Sequence, residues 1–104
     1  MTAEEAAKFV KDIVSRARFP HASFSCSFFT SNISELDNRI VIRLDAYDRN
    51  KKFGGQRLVN LELLSLALNP EASVKGDVEM LYQDFLKKTG TGPVSLRTMD
   101  RYWS

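Results

Sequence analysis

The chain has 104 residues, 43% apolar and 27% charged, with a formal net charge of +2 at pH 7. These values describe one domain of ordinary size that can bury a core without disulfides or metals, and they exclude global disorder and fibrous repeats. Its single cysteine, Cys26, has no intrachain partner, and the acidic start Met1-Thr2-Ala3-Glu4-Glu5 is unlike a signal peptide. With no run near the ~18 apolar residues of a membrane span, a cytoplasmic protein is expected.

The spacing predicts a helix over residues 2–18. Thr2 and Glu5 form a capping box, and Ala6, Phe9, Val10, Ile13, Val14 and Ala17 recur on one face. Pro20 ends it. Residues 22–30 alternate, with Phe24, Cys26 and Phe28 opposed to Ser23, Ser25 and Ser27, which predicts a strand. A turn-rich connector, 31–38, leads into a long hairpin. Its first arm places Ile40, Ile42, Leu44 and Ala46 on one side and Arg39, Arg43, Asp45 and Tyr47 on the other. The reversal is expected across 49–55, where Asn50 and the Gly54-Gly55 pair allow positive φ. The second arm is expected to reach about residue 64, with Val59, Leu61 and Leu63 opposed to Asn60 and Glu62. After Leu64 the alternation slips phase, which a bulge or a short helix would produce, and 65–68 stays open between them.

Asn69-Pro70-Glu71 opens a second helix, with Asn as N-cap and Pro in the first turn. Val74, Val78, Leu81 and Phe85 form its stripe, Lys87 and Lys88 lie in the last turn, and Gly90 stops it. The expected fold is α+β: a three-stranded antiparallel sheet with two helices packed on one face, in α-β-β-β-α order. Residues 1–90 form the domain, and 91–104 a tail docked on it or on a second copy. Phe9, Ile13, Phe24, Phe28, Ile42, Leu44, Leu61, Leu81 and Phe85 are the expected core. In topology alone the order resembles the double-stranded RNA-binding domain. That family carries a Lys-Lys-Ala-like cluster at the start of its second helix, whereas Asn69 to Lys75 here holds one lysine and one acid.

No residue pattern carries catalysis, a cofactor or a metal. His21, the only histidine, and Cys26 lack the surroundings of a nucleophile pair, and zinc would need more nitrogen and sulfur ligands. Gly54-Gly55 lacks the spacing of a phosphate loop. Asp45, Asp48 and Glu62 are read as charges pairing with Arg43 and Arg57, since Asp45 and Asp48 point to opposite strand faces. The informative feature is the basic hairpin: Arg39, Arg43, Arg49, Lys51, Lys52 and Arg57 stand against Asp45 and Asp48, with Phe53 at its tip. Such a finger can touch phosphates and stack on a base, or meet an acidic protein surface. Tyr102 and Trp103 are aromatics of a kind that marks docking sites. Candidate partner-binding residues are therefore Arg43, Tyr47, Arg49, Lys51, Lys52, Phe53, Arg57, Tyr102 and Trp103. The expected function is a small non-enzymatic binding or regulatory module acting on a protein surface, such as an accessory protein of a phage or mobile element. A nucleic-acid-binding domain using 49–57 is the alternative, and a homodimer is among the expected assemblies; no membrane partner is expected.

Overall fold

The computed structural model describes residues 3–31 and 39–104. It contains α1 (Ala3–Ser15), β1 (Ser23–Ser31), β2 (Arg39–Tyr47), β3 (Phe53–Val59), α2 (Leu61–Leu66), α3 (Pro70–Lys88), α4 (Leu96–Met99) and a 3₁₀ turn (Asp100–Tyr102). Thr2 of the expected capping box, residues 32–38 of the connector, and the side chains of Arg39, Ile40 and Glu62 lie outside the described residues. The fold is α+β: β1, β2 and β3 form an antiparallel sheet in that order, and α1 and α3 touch each other and cover one side of it. Among the described residues no helix is long and apolar enough to cross a membrane.

Alternation explains the covered face. Ile42, Leu44 and Ala46 of β2 are fully buried beneath Ala6, Val10, Ile13 and Val14 of α1 and Val74, Val78, Leu81 and Phe85 of α3. Asn69 caps α3 by accepting the Ala72 N–H at 3.1 Å, Pro70 opens the helix, and Gly90 leaves it with φ 77°. Arg16 joins the end of α1 to Glu71 of α3 at 3.2 Å. Bonds and charge from Lys75, with Arg16 beside it, hold the half-buried Glu71 carboxyl below its ordinary pKa.

Four expectations need correction. The first helix ends at Ser15 rather than 18, because Ala17 pairs with Trp103 in a β-bridge and the Arg18 N–H donates to the Tyr102 carbonyl at 2.7 Å. Phe28 is 59% exposed, while Phe9, Phe24 and Leu61 only lean on the core. The reversal is shorter than expected: Gly54 and Gly55 belong to β3, and positive φ falls on Lys51, 60°, in the turn and on Gly55, 155°, within the strand. Gly54 answers a packing need, since a Cβ there would meet the Phe85 ring at 2.6 Å. A register shift beside them leaves Ala46 opposite Gly55 and Tyr47 opposite Phe53. Finally, the second arm stops at Val59. Asn60 accepts the Leu63 N–H on its side chain at 3.1 Å and the Leu64 N–H on its carbonyl at 2.9 Å, which starts α2 where the strand was expected to continue.

The segment after α3 lies against the helices. The Gln83 side chain accepts the Val94 N–H at 3.1 Å and donates to the Val94 carbonyl, Ser95 caps α4, and Met99 is fully buried. Phe19, itself buried, sits among Tyr82, Tyr102, Trp103 and Phe24 with ring centroids 4.8–5.3 Å away, all edge-on. The Tyr82 hydroxyl donates to the Pro20 carbonyl at 3.0 Å, and burial, with Tyr102 adding to it, raises its pKa.

Candidate docking face of the sheet

The side of the sheet away from α1 and α3 is set by register. Residues opposite in phase to the buried Ile42, Leu44 and Ala46 are Val41, Arg43, Asp45 and Tyr47 on β2. Their cross-strand partners are Ser27, Ser25 and Ser23 on β1, beside Arg43, Asp45 and Tyr47 respectively, and Leu58, Gln56 and Phe53 on β3. The middle of this face is polar but neutral: Arg43 Nε donates to Asp45 Oδ1 at 2.7 Å, and Asp45 is buried. That charge-assisted bond fixes the guanidinium, whose carbon lies 5.8 Å from the Phe53 ring centroid. Tyr47 meets Phe53 edge-on at 6.1 Å. Phe53 remains 50% exposed, so a positioned cation and two aromatic rings face outward together.

Next to the rings, residues 48–52 close the β2–β3 turn. The Asp48 carboxylate accepts the Asn50 and Lys52 N–H groups, each at 2.9 Å, and the Asp48 N–H donates to the Lys52 carbonyl at 3.0 Å. Asp48 is thus a turn organiser. Arg49, Lys51 and Lys52 point into solvent around it.

Of the nine candidate residues, the structure brings Arg43, Tyr47 and Phe53 together on this face, sets Lys51 and Lys52 in the turn beside it, and places Arg49 in that turn against a groove lined by Tyr82, Phe85 and Leu86 of α3. It separates the other three. Arg57 is paired in register with the core residue Leu44, lies on the helix side, and donates from Nε to Asp77 Oδ1 of α3 at 2.8 Å. Tyr102 and Trp103 are half-buried in the Phe19 cluster, with the Lys75 ammonium 5.4 Å from the Trp103 ring. They hold the chain together.

The expected strand over 56–64 concealed a further exposed group. Leu58 on β3, Leu63 and Leu66 on α2, and Leu68 after it are 55%, 65%, 80% and 106% exposed. Asn60 followed by a leucine-rich stretch poor in β-branched residues is the signal for the helix that turns Leu63 and Leu66 outward.

Among the described residues, no three His, Cys, Asp or Glu side chains group so as to hold a metal ion. Cys26 and His21 line separate grooves. Burial pushes the Cys26 thiol up against the opposing pull of Lys11, which disfavours the thiolate. Compared with protein-family models, curated proteins and solved structures, the chain finds no match.

Proposed function

We propose that this chain is a non-enzymatic binding module that docks a protein partner through the uncovered face of its sheet and the leucines that follow β3. The carrying observation is the outward exposure of Leu58, Leu63, Leu66 and Leu68 within one short stretch. Single exposed leucines are ordinary, but several in succession leave apolar area in water that a partner can cover. Tyr47, Phe53 and Arg43 supply the residue types that dominate the centres of protein interfaces. Arg49, Lys51 and Lys52 form a basic rim, which suits a partner whose apolar patch is bordered by acidic side chains.

A specific observation also favours a second reading. Three exposed cations, Arg49, Lys51 and Lys52, stand in the turn that leads into the half-exposed Phe53, a combination that can contact phosphates and stack on an unpaired base.

One experiment separates the two. Tagged wild-type protein, Leu63→Lys/Leu66→Lys and Lys51→Glu/Lys52→Glu are used to capture material from the native extract, with and without nuclease. In the protein reading, a stoichiometric protein survives nuclease and its affinity falls roughly a hundredfold with the leucine variant. Nucleic acid that is retained by the wild type and lost with the lysine variant, with a salt slope reduced by about two phosphate contacts, supports the second reading. A wild-type protein that retains neither class overturns both.

A further inference from the structure

β1 is an edge strand of nine residues, Ser-Phe-Ser-Cys-Ser-Phe-Phe-Thr-Ser, with no charge and no proline along it. Its inner edge pairs with β2 from Ser23 opposite Tyr47 to Ser31 opposite Arg39. Its outer edge has no backbone partner among the described residues. Edge strands are ordinarily protected by charges, prolines or bulges, because their free N–H and C=O groups are a template for another strand. A groove of about 580 Å³ lies between this strand and α1. The strand contributes Cys26 and the exposed Phe28, while α1 contributes Ala7 between Glu4, Lys8 and Lys11. These last three fall at i, i+4 and i+7, so they form one exposed stripe on the outer flank of the helix.

We propose that β1 pairs antiparallel with β1 of a second copy of this chain, joining two sheets into one of twice the width. The two-fold axis of such a pair is perpendicular to the sheet, so all the long helices stay on one side. The two α1 flanks then run antiparallel and face each other above the joined strands. Glu4 of each copy comes opposite Lys11 of the other, because the two residues lie two turns apart on the same stripe. The two Lys8 side chains fall near the axis, and each keeps Glu4 of its own helix one turn away. The stripe is therefore complementary in charge to itself under this symmetry. Spacing agrees. Paired strands lie ~4.8 Å apart, whereas packed helices need ~8–10 Å, so a helix set back from the strand edge is required. The groove at Ala7 supplies that setback, and joining covers Phe28. Main-chain hydrogen bonds supply the attraction, and the charged stripe fixes the direction of pairing. The surface is distinct from the uncovered sheet face, and none of the leucines at 58–68 takes part.

The test is a charge swap read by sedimentation equilibrium over a wide concentration range. Wild-type protein is expected to be a dimer. Lys11→Glu places like charges together twice across the axis and should weaken the dimer by roughly tenfold or more, with no loss of secondary structure because Lys11 is exposed. Glu4→Lys/Lys11→Glu restores both pairs in reverse and should return the wild-type dissociation constant. A wild type that stays monomeric at every concentration overturns the proposal. So does a dimer that Lys11→Glu leaves unchanged, or one that the double swap fails to restore.

Discussion

Glu79 lies on α3 and is nearly as buried as the core. Burial, and then the charge of Asp100, push its pKa up; the Trp103 indole and the Lys75 ammonium pull in the other direction without reversing the shift. The sign of the consequence follows from linkage. A carboxyl whose folded pKa exceeds its unfolded one binds its proton more tightly in the native state. It therefore favours folding at low pH, and that contribution is lost as pH rises from the unfolded value, ~4.3 for glutamate, through the raised folded one. Glu79→Gln should raise stability at neutral pH and flatten the decline across that window. Urea unfolding at a series of pH values checks this, and an unchanged slope would mean that water reaches the carboxylate freely. Gly54 shows a similar coupling of one residue to the whole, since its missing side chain is what lets the Phe85 ring approach β3.

At the scale of the element, α2 depends on a single residue for its start. Asn60 ends the β3 ladder and turns the next amides into a helix by accepting from Leu63 and Leu64. Asn60→Ala should cost about 1 kcal/mol and speed hydrogen exchange at the Leu63 and Leu64 amides, while amides of β2 keep their protection. What the sequence made legible was period and punctuation. The stripe of α1, the Asn69-Pro70 opening of α3 and the alternation of β1 and β2 could all be read from local spacing. What it concealed depended on distant partners. Val59, Leu61 and Leu63 alternate like a strand, and only the side-chain bond from Asn60 decides for helix. Phe28 continues the alternation of Phe24 and Cys26, yet it lies where the helix cover stops. Nearness in sequence groups Arg57 with the basic turn, but its partner Asp77 lies on α3. The shared placement of Arg43, Tyr47 and Phe53 was half legible: two follow from strand phase, while the third needed the register shift at Gly54.

For the molecule as a whole, the segment after Gly92 is a working part of the core. Met99 is as buried as Ile42 and Leu44. Met99→Ala should cost about 2–5 kcal/mol, like any large side chain removed from a packed interior, and the urea midpoint should fall accordingly. A midpoint that does not move would make this segment an appendage. The Ala17–Trp103 bridge carries a kinetic meaning as well. It joins positions near opposite ends of the described chain, and the Phe19 cluster is walled by the same late residues. Contacts of such long sequence separation are slow to form. On a ribosome, α1 emerges early but cannot finish its surroundings until synthesis has passed residue 103. Throughout that interval Phe19 and the inner faces of α1 and β1 lack their last cover, and their apolar area faces water.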